Sequence, residues 1–160
     1  MKKRGLRSWM GIACALAILF SLCGCGEDAG GETKTIDKEA LAAELAGTLE
    51  FRDMLEAVDS GIAGLRYDTP ENVEVVLYAG SGATAEEVAV FEAPDEDAAE
   101  EVLEAAEIYI QDQIDAFENY VPEEVPVLEK AVVEQRGKYV IICVTDDDAA
   151  ARKKIEEYFD

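Results

Sequence analysis

Six consecutive residues, Tyr139-Val140-Ile141-Ile142-Cys143-Val144, constrain the fold of this chain more than any other segment. Successive side chains of a strand point to opposite faces of its sheet, so a run that is apolar at every position has no face suited to water. Such a strand belongs in a central position. Ala131-Val132-Val133-Glu134-Gln135 precede it and Gly137 lies between, which reads as a hairpin. A second pair of β-branched and aromatic runs, Val73–Tyr78 and Glu87–Glu92, flanks the turn-forming segment Gly80-Ser81-Gly82-Ala83-Thr84 and predicts a second hairpin.

Helical periodicity fills the gaps. Asp37 is placed to cap a helix carrying Leu41, Leu45 and Leu49, which Gly47 weakens or breaks. Phe51, Met54, Leu55 and Val58 predict a second helical piece, and Gly61, Gly64 and Pro70 punctuate the approach to the first strand. Asp95 precedes a long helix whose stripe Ala99, Leu103, Ala106, Ile110, Ile114 and Phe117 has the spacing of a buried face. Pro122 and Pro126 should end it and exclude regular structure from the connection. Thr145 with Asp148 has the form of a capping box opening a last helix, with Ala151, Ile155 and Phe159 on its inner side. The expected order is α-ββα-ββα: an α+β domain with an antiparallel sheet of about four strands, two hairpins, packed against helices on one face.

The first 24 residues have another purpose. Lys2, Lys3, Arg4 and Arg7 are followed by an apolar stretch from Trp9 to Leu22, the charge-then-apolar order of an export signal. That stretch is shorter than the roughly 20 residues needed to span hydrocarbon. Leu22-Cys23-Gly24-Cys25 has the pattern of a lipobox, with an aliphatic residue three before Cys25 and small residues at the cut. A thiol there is nucleophilic enough to accept diacylglycerol. The expected organisation is a lipoprotein signal peptide at 1–24, a flexible tether at 25–35 beginning with lipidated Cys25, and one domain at 36–160. The glycine-rich tether reaches roughly 15 to 20 Å. The chain is then held on the outer face of the cell membrane through lipid on Cys25.

Loss of the leader removes four cations and leaves ten basic residues against 36 acidic ones. Nucleic acid and anionic headgroups need basic patches, so neither is an expected partner. Cys14 and Cys23 leave with the leader and Cys25 carries lipid, so Cys143 has no cysteine to pair with; in its apolar run it reads as core. The chain contains no histidine, which excludes Ser-His-Asp and Cys-His catalysis and the usual catalytic zinc sites. Ser60 and Ser81, the serines after the leader, open neither Ser-x-x-Lys nor Gly-x-Ser-x-Gly. No catalytic residue, metal ligand or cofactor is therefore assigned.

Binding candidates are sparse. Gly80-Ser81-Gly82-Ala83-Thr84 carries donors at Ser81, Gly82 and Thr84, although a phosphate loop would open a helix and carry a lysine, whereas here a strand follows. Tyr78, Tyr109, Phe117 and Tyr120 are candidates to line a groove, with Gln111 and Gln113 as hydrogen-bonding neighbours. Asp95-Glu96-Asp97 and Asp146-Asp147-Asp148 resemble calcium ligands by composition, but both sit at predicted helix starts, where capping accounts for carboxylates. Paired carboxylates for glycan hydrolysis are set in space and are not legible in sequence.

Three segments, Tyr78–Ala93, Tyr120-Val121-Pro122-Glu123-Glu124-Val125-Pro126 and Gly137-Lys138-Tyr139-Val140, resemble in this order the bacterial lipoprotein family known as domain of unknown function 4358. The likeness runs from Ile36 to Phe159. It implies an extracytoplasmic lipoprotein of the kind found mainly in Gram-positive anaerobes, and it brings no assigned activity or catalytic residue. Tether, spacer and missing catalytic groups together point to a non-enzymatic domain that binds a protein or envelope component. The alternatives are a carboxylate-based or calcium-dependent hydrolase of envelope glycans, and a small solute-capturing lipoprotein; the latter is short for a two-lobed binding protein.

Overall fold

The computed structural model describes residues 34–70 and 72–160; the expected leader and Cys25 lie outside them. The elements, in chain order, are α1 (Lys38–Thr48), β1 (Glu56–Ala57), α2 (Ser60–Arg66), β2 (Glu74–Ala79), β3 (Glu87–Glu92), α3 (Glu96–Glu118), a 3₁₀ turn (Pro122–Glu124), α4 (Val125–Leu128), β4 (Val132–Arg136), β5 (Tyr139–Val144) and α5 (Asp148–Phe159). All five strands form one antiparallel sheet in the order β1-β2-β3-β5-β4. The α+β class and both hairpins are as the sequence predicts, and β5 is interior and buried at all six positions. Gly137 turns the second hairpin at φ 57°.

Helices cover both faces of this sheet, not one. Leu77, Ala89, Phe91, Val140, Ile142 and Val144 pack under Ala63 of α2, Ala99, Val102, Ala106 and Ile110 of α3, and Val127 and Leu128 of α4. The alternate residues Val88, Val90, Val132, Ile141 and Cys143 pack under Leu41 and Leu45 of α1 and Ala151 and Ile155 of α5. The reason lies in β3 and β5 themselves: strands apolar on both sides are stable only if both sides are roofed. Cys143 is fully buried, and burial pushes its thiol up to about 12, so it is core.

Three local expectations need correction. The helix predicted over Phe51–Val58 is replaced by an extended segment ending in β1, whose Glu56 and Ala57 pair with Ala79 and Tyr78. The backbone N–H groups of Arg52 and Asp53 both donate to the Glu86 carboxylate, which removes them from any helical ladder. The glycines taken as punctuation lie within α2 instead; Asp59 caps it on Gly61 N, and the burial of Ala63 offsets the poor propensity of Gly61 and Gly64. The prolines do not exclude regular structure. Pro122 and Pro126 occupy first turns of the 3₁₀ turn and α4, where a missing N–H breaks no bond.

The caps of α1 and α3 are the expected ones, with Asp37 accepting from Ala40 N and Asp95 from Ala98 N at 2.9 Å each. α5 opens two residues later than the capping box predicts. Thr145 is fully buried, its hydroxyl 3.3 Å from the Glu50 carbonyl, and Asp147 becomes the cap by accepting from Ala150 N. Each of the two acidic clusters that resembled calcium ligands thus supplies one helix cap, Asp95 and Asp147. Among the described residues no helix is long and apolar enough to cross a membrane.

Candidate functional site

The β2–β3 loop, Gly80 to Glu86, is held by several side-chain hydrogen bonds. Gly82 sits at φ 89°, a left-handed conformation that favours glycine. Gly80 lets Asp53 approach so closely that a Cβ there would stand 2.8 Å from its Oδ2. That carboxylate accepts from Ser81 N at 2.7 Å and from Ser81 Oγ at 2.6 Å, and the two bonds hold it below the usual carboxylate range.

Behind the loop lies a set of charges that sequence alone gave no reason to bury. Glu86, 2 % exposed, accepts from the N–H groups of Arg52 and Asp53, from Arg52 Nε and from Thr84 Oγ1. Glu124, equally buried, takes a bidentate pair from Arg52 at 2.8 Å on each oxygen and a third bond from Ala85 N. Burial raises the affinity of Glu124 for a proton, but the Arg52 guanidinium and the Ala85 N–H more than offset this, leaving it below the ordinary range. Arg52 thereby ties the segment before β1 to the loop and to the 3₁₀ turn, and its Nε also lies 3.0 Å from Asp146.

A second network adjoins the first. Glu87 opens β3 on the α3-covered side and is 2 % exposed. It accepts from Tyr109 OH at 3.0 Å and Tyr67 OH at 3.2 Å, and Arg66 lies 3.0 Å from the same oxygen that Tyr109 contacts. Arg66 Nε donates in turn to Tyr109 OH at 2.8 Å. The carboxyl is pushed up by burial, against the pull of Arg66 and the two hydroxyls. Tyr67 is wedged edge-on between Phe91 and Tyr109, with centroids 4.9 and 4.7 Å away. Among the described residues every buried side-chain polar atom has a partner.

Between loop and α3 opens a cleft of about 370 Å³. Ser81, Gly82 and Thr84 of the loop line it, as do Gln113 and Phe117 of α3 and Arg66 at the end of α2. The structure thus brings together three of the four residues singled out for ligand binding. Tyr120 does not join them; it follows α3, is 78 % exposed and stands outside the cleft lining. Tyr78 packs with the core on the opposite face, Tyr109 lies in the network behind Arg66, and Gln111 donates to Asp115. Sequence reasoning missed Arg52, Arg66, Glu86, Glu87 and Glu124. The available signal was scarcity: in a chain with 36 acidic and 14 basic residues, an arginine beside an apolar segment marks where a carboxylate is to be buried.

No curated protein and no solved structure matches this chain. A family model, described as Domain of unknown function (DUF4358), matches residues 66–145. That segment begins at Arg66 in the cleft lining and runs through both hairpins, α3 and α4 to the buried Thr145, while α1, Arg52 and α5 fall outside it. Over half its length, including the cleft lining, the chain belongs to the DUF4358 family.

Proposed function

We propose that this chain is a lipid-anchored, non-enzymatic binding domain on the outer face of the cell membrane, and that its cleft beside the 80–84 loop holds part of a protein or envelope component. The observation that carries this reading is how the groups around the cleft are used. The hydroxyl protons of Ser81 and Thr84 are committed to Asp53 and Glu86, and Glu86 and Glu124 are saturated with donors. Groups so occupied make a rigid recognition surface. Anchoring follows from the leader and Cys25 in the sequence.

One observation favours the hydrolase alternative. Glu87 is a carboxyl pushed up by burial beside a cleft, the property of many general acids. It is sealed beneath Arg66, Tyr67 and Tyr109, however, and a general acid must come within hydrogen-bond reach of its substrate.

Two experiments test the reading. Radioactive palmitate should label the protein in its own cells, and Cys25→Ala should abolish the label and release the product into the medium; a label that survives the substitution refutes the anchor. A photo-crosslinking residue at Gln113 in the intact lipoprotein should capture a reproducible partner in cells. Turnover of an envelope glycan by the purified protein, abolished in Glu87→Gln, would replace binding with catalysis.

A further inference from the structure

Resting on that reading, we infer that the ligand of the cleft is a neutral, hydroxyl-rich one: a sugar unit of an envelope glycan. The charges at the site are already balanced internally. Arg66 is neutralised by Glu87 at 3.0 Å, and Arg52 by Glu86 and Glu124. An anionic ligand finds no unpaired cation here and meets a chain of net charge −22. A cationic ligand finds the nearby carboxylates saturated with donors.

What remains is a mixture of donors and acceptors beside one aromatic ring. Arg66 uses Nε and one terminal nitrogen internally, and its side chain is 39 % exposed, leaving N–H donors for the cleft. Ser81 and Thr84 have committed their protons but keep oxygen lone pairs, so they act as acceptors. The Gln113 amide lines the cleft and offers both kinds of group. The half-buried Phe117 ring lines it too, a surface on which the C–H face of a sugar ring can lie. Hydroxyls, each donor and acceptor at once, match this set better than a carboxylate, an ammonium or a purely apolar group. The volume of about 370 Å³ falls at the small end of ligand clefts, roughly 300–1,000 Å³, as suits a monosaccharide or disaccharide unit.

The test is calorimetric and NMR titration of the purified full-length chain in detergent with N-acetylglucosamine, chitobiose, glucose and galactose, alongside N-acetylglutamate and spermidine. At least one sugar should bind saturably in the millimolar range or tighter, with shifts at residues 81–84 and 113–117. Gln113→Ala should weaken it at least tenfold without lowering the melting temperature, Phe117→Ala should weaken it as much while also lowering the melting temperature because the ring packs on the core, and Tyr120→Ala should leave it unchanged. Absence of saturable binding by every sugar, tighter binding of N-acetylglutamate or spermidine, or sugar binding unaffected by Gln113→Ala would overturn the inference. The Gln113 crosslink separates the two levels: capture of a protein with no attached glycan leaves the binding domain standing and removes the sugar, whereas capture of nothing removes both.

Discussion

The two faces of the sheet are built from alternate residues of the same strands, yet they end differently. The α1/α5 face closes over Val88, Val90, Ile141 and Cys143 with aliphatic side chains, and the Tyr139 hydroxyl reaches its margin to meet the Ile36 backbone. The α2/α3/α4 face begins the same way over Phe91, Val140 and Ile142 and then, toward the start of β3, gives way to Glu87, Tyr67, Tyr109 and Arg66. One face seals; the other seals at its centre and keeps a polar margin, and the cleft opens there. The difference teaches where a polar cleft can be assembled on a small domain. It requires polar groups held rigidly, and these are affordable only at the border of a core that is otherwise dry.

If the apolar centres are equivalent, matched truncations should cost the same on either side. Ile141 and Ile142 are neighbours, both fully buried, one under each set of helices. Ile141→Ala and Ile142→Ala should each destabilise the domain by about 4 kcal/mol, within the range for a buried isoleucine that leaves a cavity. Urea denaturation reads both. A loss below about 1 kcal/mol on one side alone would mean that face is loosely roofed and would break the symmetry assumed at the centre.

The Arg52 network that adjoins this margin should fail for a different reason. Arg52→Ala leaves Glu86 and Glu124 buried without their cation and should cost about 3 kcal/mol, because a lone buried charge is worse than none. Adding Glu86→Gln and Glu124→Gln to that variant should recover part of the loss. If the triple variant is no more stable than Arg52→Ala, uncompensated charge is not what holds the loop.

How much of this contrast was legible in the sequence follows from the same physics. β5 and both hairpins were readable because apolar alternation is local and survives in any context, as were the caps at Asp37 and Asp95. The second helical roof was not read, since α1 and α5 carry short apolar stripes that fit either face until the register of β3 against β5 is known. α2 was hidden by Gly61 and Gly64, and α4 by Pro126, because tertiary packing overrides propensity in pieces this short. Ser81, Gly82 and Thr84 could be picked out as loop donors; Arg66 and the Glu86–Glu87 pair could not. In a chain this acidic, two more glutamates before a strand look like solvated surface, and only the fold brings Arg52 and Arg66 to them.

Acidity separates the carboxylates further. Glu92, hydrogen-bonded by Lys138 and Lys38, and Glu124 lie below the usual value of 4.5, so the stability they contribute is present above that pH and lost as pH falls through their folded values. Glu87 has the opposite sign. Its folded value is raised by burial, so between 4.5 and that value the folded state holds a proton the unfolded chain has released, and stability falls as pH rises through this interval, above which Glu87 is the ionised partner of Arg66. Stability should therefore peak near the point where these limbs cross. Glu87→Gln should flatten the limb on the alkaline side by at most ~1.4 kcal/mol per pH unit and leave the acid limb alone. An unaltered alkaline limb would mean that Glu87 is fully ionised in the folded protein.

The smallest effect asks whether the margin is a network or a set of pairs. Tyr109 OH receives from Arg66 Nε and donates to Glu87, so it is the one group joining cation and carboxyl in series. Tyr109→Phe keeps the ring against Tyr67 and under the Arg66 guanidinium, whose centre lies 5.7 Å from the ring centroid, and removes the hydroxyl alone. The expected cost is about 1 kcal/mol, that of one hydrogen bond, since Tyr67 and Arg66 still satisfy Glu87. Tyr67→Phe removes a terminal donor with no partner beyond Glu87 among the described residues and should cost a similar amount. The double variant decides: in a cooperative network its loss should exceed the sum of the two, because Glu87 would then retain Arg66 as its single partner. Simple additivity within about 0.3 kcal/mol would reduce the margin to independent contacts. The polar side of the domain would then differ from the dry side in composition but not in how its parts support one another.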